Sequence, residues 1–199
     1  ISYDDSILAK FAEAQGIDLP RLALDERAPW LEEQGLHEQF RQFQVAHWRE
    51  RCRALREAVD EHNPDFRFVI YPSPKKAFLS EAAAVEWSTE RAAVIFAIPE
   101  TYGRLTKFAP QRATVEANRR IVEGLVAEAE QIGVPFDYLG GIDPVVTGAD
   151  PEFSARSATA MSQVGDGYWV FYEGPTYDED HPEYFEWFTR ANEAIQQEN

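Results

Sequence analysis

Three acidic residues in this 199-residue chain stand where strand-like runs give out, and carboxylates there suit proton transfer or nucleophilic attack. Asp143 follows Phe136-Asp137-Tyr138-Leu139-Gly140-Gly141-Ile142, a short apolar and aromatic run, and precedes the breaker Pro144. Glu173 follows Tyr168-Trp169-Val170-Phe171-Tyr172 and leads into Gly174-Pro175. Glu100 sits in Pro99-Glu100-Thr101-Tyr102-Gly103, after the apolar run 92–98. Two carboxyl groups across one bond, roughly 5 to 5.5 Å apart for retention and roughly 6.5 to 9.5 Å for inversion, are what glycoside hydrolysis requires. Asp143 is the first choice as nucleophile or base, Glu173 as its acid partner, and Glu100 as the third candidate. Each has a structural use as well: Asp143 capping a turn before Pro144, Glu173 pairing with an arginine at a rim, Glu100 simply solvated.

Tyr71, Tyr102 and Tyr172 fall at the same strand ends. Flat aromatic faces suit the apolar faces of sugar rings, and the hydroxyls can bind polar groups, so all three are candidate substrate-binding residues; their other use is to cap a core. Trp87, Trp169 and Trp187 lie inside apolar patterns and read as core, while Trp30 fits either role. His37, His47, His62 and His181 are scattered without metal-ligand spacing, so no metal site is expected. Asp178-Glu179-Asp180-His181 reads as a solvated helix start more readily than as a cation loop. Gly140-Gly141 lacks the lysine and spacing of a phosphate loop and no Gly-x-Ser-x-Gly elbow occurs, which leaves no cofactor implied and excludes nucleotide-binding and serine-hydrolase readings.

The elements that must position these residues alternate. Residues 66–71, 92–98, 136–141 and 168–172 read as strands, and 79–89, 111–132, 151–164 and 181–197 as helices. Asp150 and Pro151 start the third of these helices in the usual way, as N-cap and first helical residue. Ahead of them lie short helices at 6–14 and 27–34, then a long one over 36–62 with Phe40, Phe43, Trp48, Cys52, Leu55 and Val59 at mostly three- and four-residue intervals. The chain is therefore one domain: a helical lead-in over 1–63, then four β/α units over 64–199. Strands separated by helices argue for a parallel sheet with right-handed crossovers. Four such units are half of a (β/α)8 TIM barrel, with the binding face at the C-terminal ends of the strands and the long helix as the fourth helix of the full barrel. A four-stranded curved sheet leaves two open edges and an uncovered inner face, so either a missing N-terminal half-barrel or a second copy of the chain is expected as partner, or the sheet flattens into an open α/β sandwich.

Composition narrows the classes. A 44% apolar, 13% aromatic chain of this length can build a core, so disorder is not the default. The net charge of −16 argues against nucleic acid or an anionic membrane surface as partner. No apolar run approaches the roughly 20 residues that span a bilayer. One cysteine, Cys52, excludes an internal disulfide. The start at Ile1, running straight into Tyr3-Asp4-Asp5-Ser6, suggests a fragment or a processed chain.

Several stretches carry a family resemblance. Tyr3-Asp4-Asp5-Ser6 through Phe11, Gly16-Ile17-Asp18-Leu19-Pro20, the Trp30-Leu31 helix and Asn63-Pro64-Asp65 before a strand resemble the region after strand four in bacterial TIM-barrel glycoside-hydrolase-like proteins of the wider β-galactosidase-type group. Asp137-Tyr138-Leu139-Gly140-Gly141 and Trp169-Val170-Phe171-Tyr172-Glu173-Gly174-Pro175 resemble the last two strands of uncharacterised members. The resemblance implies the C-terminal half of a barrel and hydrolysis of a carbohydrate. It also implies an acid/base Glu after strand four, a position before Ile1, and a nucleophilic Glu at the end of strand seven, where this chain offers the shorter Asp143 in a shifted register. Relatives carry cysteines where this chain has Tyr3 and Ser6, so no metal follows from the likeness. The expected function is a glycoside-hydrolase-like enzyme acting on carbohydrate; the alternatives are a non-catalytic carbohydrate-binding barrel and a self-associating structural half-barrel.

Overall fold

The computed structural model describes residues 1–71, 78–101, 114–143, 151–171 and 183–198. The lead-in opens with α1 (Asp5–Gln15), started by Asp4, whose carboxylate accepts the backbone N–H groups of Ser6 at 3.0 Å and Ile7 at 3.1 Å. Two of the helix's four orphan donors are thereby satisfied. The helix stops at Gly16, held at φ 64, a left-handed conformation that costs glycine little. α2 (Arg27–Glu33) and the first turns of α3 (His37–Asp60) close over α1, and Leu8, Phe11, Leu31 and Phe40 make a small core of their own.

The main body is a four-stranded parallel sheet in the order β1 (Val69–Ile70), β2 (Val94–Ile98), β3 (Phe136–Ile142), β4 (Gly167–Val170). The described helices between and after these strands are α4 (Phe78–Trp87), α5 (Val115–Glu130), α6 (Pro151–Ser162) and α7 (Glu183–Glu198). The sheet is thus α/β with each strand beside its sequence neighbour, as the alternating pattern predicts. The register Ile70↔Phe96↔Tyr138 and Gly140↔Tyr168 puts these residues on one face. That face is the one the helices cover: Ile70, Val94, Phe96, Ile98, Tyr138 and Ile142 are buried in one cluster with residues of α3, α4, α5, α6 and α7. Gly140 allows the closest approach, because a Cβ there would stand 2.7 Å from Sδ of Met161 on α6.

Element boundaries shift from the sequence reading, and the two outer strands show why. The first strand was expected over 66–71, yet β1 spans two residues. Phe66 N–H is taken by a turn to the Asn63 carbonyl, and Arg56 Nη1 donates to the Phe66 carbonyl at 2.7 Å, so side-chain and turn bonds replace the ladder there. Ladder bonding resumes at Phe68, whose carbonyl accepts from Ile95 N–H at 2.9 Å. At the other edge β4 ends at Val170, although Phe171 N–H still donates to the Ile142 carbonyl at 2.8 Å.

α3 lies along α4. The Trp87 indole N–H donates to the Cys52 carbonyl at 3.1 Å, and Glu86 accepts from Arg49 at 2.6 Å and Arg53 at 2.9 Å. No described helix is long and apolar enough to cross a membrane.

Candidate functional site

Strand alternation puts two of the candidates, Tyr71 and Asp143, on the face opposite the described helices. Val69, Ile95 and Asp137 share a level across β1, β2 and β3; Ala97, Leu139 and Gly167 share the next; Gly141 and Trp169 the one after. Continuing the register adds Arg67 below, Tyr71 beside Ala97, and Asp143 with Phe171 above. This face therefore runs from an ion pair at its N-terminal end, through aromatic rings, to a carboxylate at its C-terminal end.

Each level has its own anchoring. At the lower end Arg67 Nη2 lies 2.6 Å from Asp137 Oδ2, an ion contact without hydrogen-bond alignment, while Arg67 Nε donates to the Ala93 carbonyl at 2.7 Å. In the middle the Tyr71 ring, 47% exposed as a residue, packs edge-on against the Trp169 indole with centroids 5.8 Å apart. Trp169 in turn meets Phe171 edge-on at 6.2 Å. At the upper end Asp143 follows β3 directly and is only 2% exposed. Thr101, also buried, donates its hydroxyl to the Gly141 carbonyl at 2.8 Å and so ties the short 3₁₀ turn Pro99–Thr101 to the end of β3. Glu100 falls in that turn.

Of the residues expected from sequence, the structure brings Asp143, Tyr71 and the Glu100 turn to the C-terminal end of one sheet. Glu173, Tyr102 and Tyr172 lie outside the described residues. Trp169 was read as core; it belongs instead to the face away from the helices, in contact with Tyr71. Its register partner is Gly141, which has no side chain to cover it. Arg67 and Asp137 went unmarked in the sequence, although a charge placed within an apolar strand run was a signal that could have found them.

The surrounding framework fixes this edge. Asp166 accepts the Tyr138 N–H through its carboxylate at 2.8 Å and returns its own N–H to the Tyr138 carbonyl at 2.9 Å, clamping β3 just where β4 begins. Among the described residues no cluster of three or more His, Cys, Asp or Glu is arranged to hold a metal ion. Chemically, the arrangement offers an aromatic wall and a buried carboxylate, a set suited to a ligand with both apolar faces and hydroxyl groups. Comparison with protein-family models, curated proteins and solved structures finds no match to the chain.

Proposed function

We propose that the chain is half of a (β/α)8 barrel of glycoside-hydrolase-like type, with the face of its sheet away from the described helices as the inner wall and a carbohydrate as its ligand. The observation that carries the reading is the Tyr71–Trp169 pair, packed over that face, below the strand end that bears the buried Asp143. Aromatic rings stack on the C–H faces of a pyranose, and a carboxylate at the rim accepts its hydroxyls or attacks its anomeric carbon. Asp143 is the nucleophile or base in this reading, Glu173 or Glu100 the acid, and Tyr102 and Tyr172 complete the wall with Tyr71.

Release of 4-nitrophenol from a panel of aryl glycosides tests it. The Asp143→Asn variant should lose at least about 10³-fold in kcat, on the scale of a missing catalytic carboxylate, with sugar binding retained. Binding by the parent protein with no turnover on any glycoside favours the second reading, a carbohydrate-binding barrel without catalysis, which the aromatic pair would serve by itself.

A further inference from the structure

The small core of the lead-in lies apart from the sheet. Leu8 and Phe11 of α1, Leu31 of α2 and Phe40 of α3 are buried together, with Tyr3, Trp30 and Phe43 packed against them. Among the described residues none of these is shared with the cluster around the sheet, which α3 joins farther along its length through Trp48 and Cys52. The first turns of α3 thus serve the lead-in, and its later turns serve the sheet.

The segment that enters α1 closes this small core, and buried side chains hold it by its backbone. Gln44 of α3, 7% exposed, accepts the Ser2 N–H at 2.9 Å and donates its amide to the Ser2 carbonyl at 3.0 Å. Arg27 of α2, 8% exposed, donates to the Tyr3 carbonyl at 2.6 Å and to the Leu22 carbonyl at 3.4 Å, and pairs with Asp5 in the first turn of α1. The Tyr3 ring lies against Phe40 at 5.8 Å, and its hydroxyl is hydrogen-bonded to His37 Nε2 at 2.8 Å. Two residues of strap are thereby tied to α2 and α3. Neither α1, with 11 residues, nor α2, with 7, is long enough to hold its helix without packing. Lifting either one also takes from the buried Arg27 guanidinium some of the oxygens that satisfy it, so the loss of one helix undermines the other.

We infer that residues 1–36 form a cap that opens from α3 as one unit while the sheet stays folded, with Ser2 and Tyr3 as the strap that keeps it shut. Opening uncovers Phe40 and Phe43 on the first turns of α3. The rest of that helix stays in place, because Trp87 donates to the Cys52 carbonyl and Glu86 holds Arg49 and Arg53. The inference rests on the two separate cores and the clamp on Ser2 and Tyr3, independently of any reaction at Asp143.

Hydrogen exchange of the folded protein, read amide by amide across a series of low urea concentrations, tests it. The amides of α1 and α2 should converge on one urea-dependent opening, at lower free energy than the opening that exposes β2 and β3. Two variants separate the units. Gln44→Ala removes both bonds to Ser2 and should speed exchange throughout α1 and α2 by a common factor of about ten. Gly140→Ala strains the sheet whether the cap is shut or open, so it should speed exchange in β2 and β3 and leave α1 and α2 unchanged. If either variant fails to fold, the openings of the parent protein decide. Convergence of α1 and α2 with the sheet, separate openings for the two helices, or a Gly140→Ala effect that reaches α1 and α2 equally overturns the inference. So does a Gln44→Ala effect confined to the amides next to Ser2.

Discussion

Tyr71 and Trp169 touch, ring centroids 5.8 Å apart, although β1 and β4 are separated by two strands. Neighbouring strands lie about 4.8 Å apart, so upright side chains on a flat sheet would stand roughly 14 Å from one another. Contact follows when the sheet curls toward the face away from the described helices and the rings lean across it. Gly141, the register partner of Trp169, leaves the room between them. The pair is therefore both a gauge of curvature and the wall of the candidate site.

Removing one ring should expose the other. Tyr71→Ala is expected to shift Trp169 emission to the red, and Tyr71→Phe to leave it unchanged, since the contact is between rings rather than through the hydroxyl. Subtracting the same spectra recorded on Trp169→Phe isolates this tryptophan from the other four. The stability cost of Tyr71→Ala should stay within about 0.5 to 1.5 kcal/mol, the range of an aromatic pair.

Gly140→Ala should destabilise by about 1 to 3 kcal/mol, because the new methyl meets Sδ of Met161 at 2.7 Å and α6 must move away from β3. The denaturant midpoint reads the loss. Met161→Ala in the same chain should return part of it, since the clash is with that one side chain; strictly additive effects of the two changes would contradict the packing described.

Glu86 joins α3 to α4 and predicts the acid limb of stability. Burial pushes its carboxyl upward, but the hydrogen bonds and charges of Arg53 and Arg49 outweigh that and hold it below the ordinary value of 4.5. A folded-state value below the unfolded one means the stabilisation is complete above about pH 4.5 and is lost as the pH falls through the lower, folded value. Glu86→Gln should cost about 1 to 2 kcal/mol at pH 7 and flatten the decline of unfolding free energy below pH 4.5. A parallel decline in both proteins would remove Glu86 from this role.

Cys52 should be inert while the protein is folded. It is buried on α3, and burial together with the nearby Glu86 charge pushes its thiol up to about 11. A disulfide reagent at pH 8 should label it only in denaturant, at the rate of global opening. Rapid labelling of the native protein would show that α3 lifts from α4 locally.

The order of elements was legible because strands and helices differ in period: alternating or continuous apolar runs bounded by Gly and Pro against three- and four-residue spacing. The position of Asp143 at a strand end followed from the same signals. The face of Trp169 was not legible, since in Tyr168-Trp169-Val170-Phe171 both sides of the strand are apolar and only the pairing of Gly141 with Trp169 decides. The Arg67–Asp137 contact also depends on register, which no local pattern carries. The shortness of β1 arises from Arg56, ten residues away, capturing the Phe66 carbonyl. Local propensity favours a strand there, and a long-range side-chain bond overrides it.

The most direct measurement of the central claim is a titration of the protein with neutral oligosaccharides, following Trp169 emission by difference against Trp169→Phe. The account predicts a saturable change with at least one sugar and at least tenfold weaker binding in Tyr71→Ala, a loss of about 1.4 kcal/mol or more. No saturable change with any sugar, or binding that Tyr71→Ala leaves intact, would contradict it.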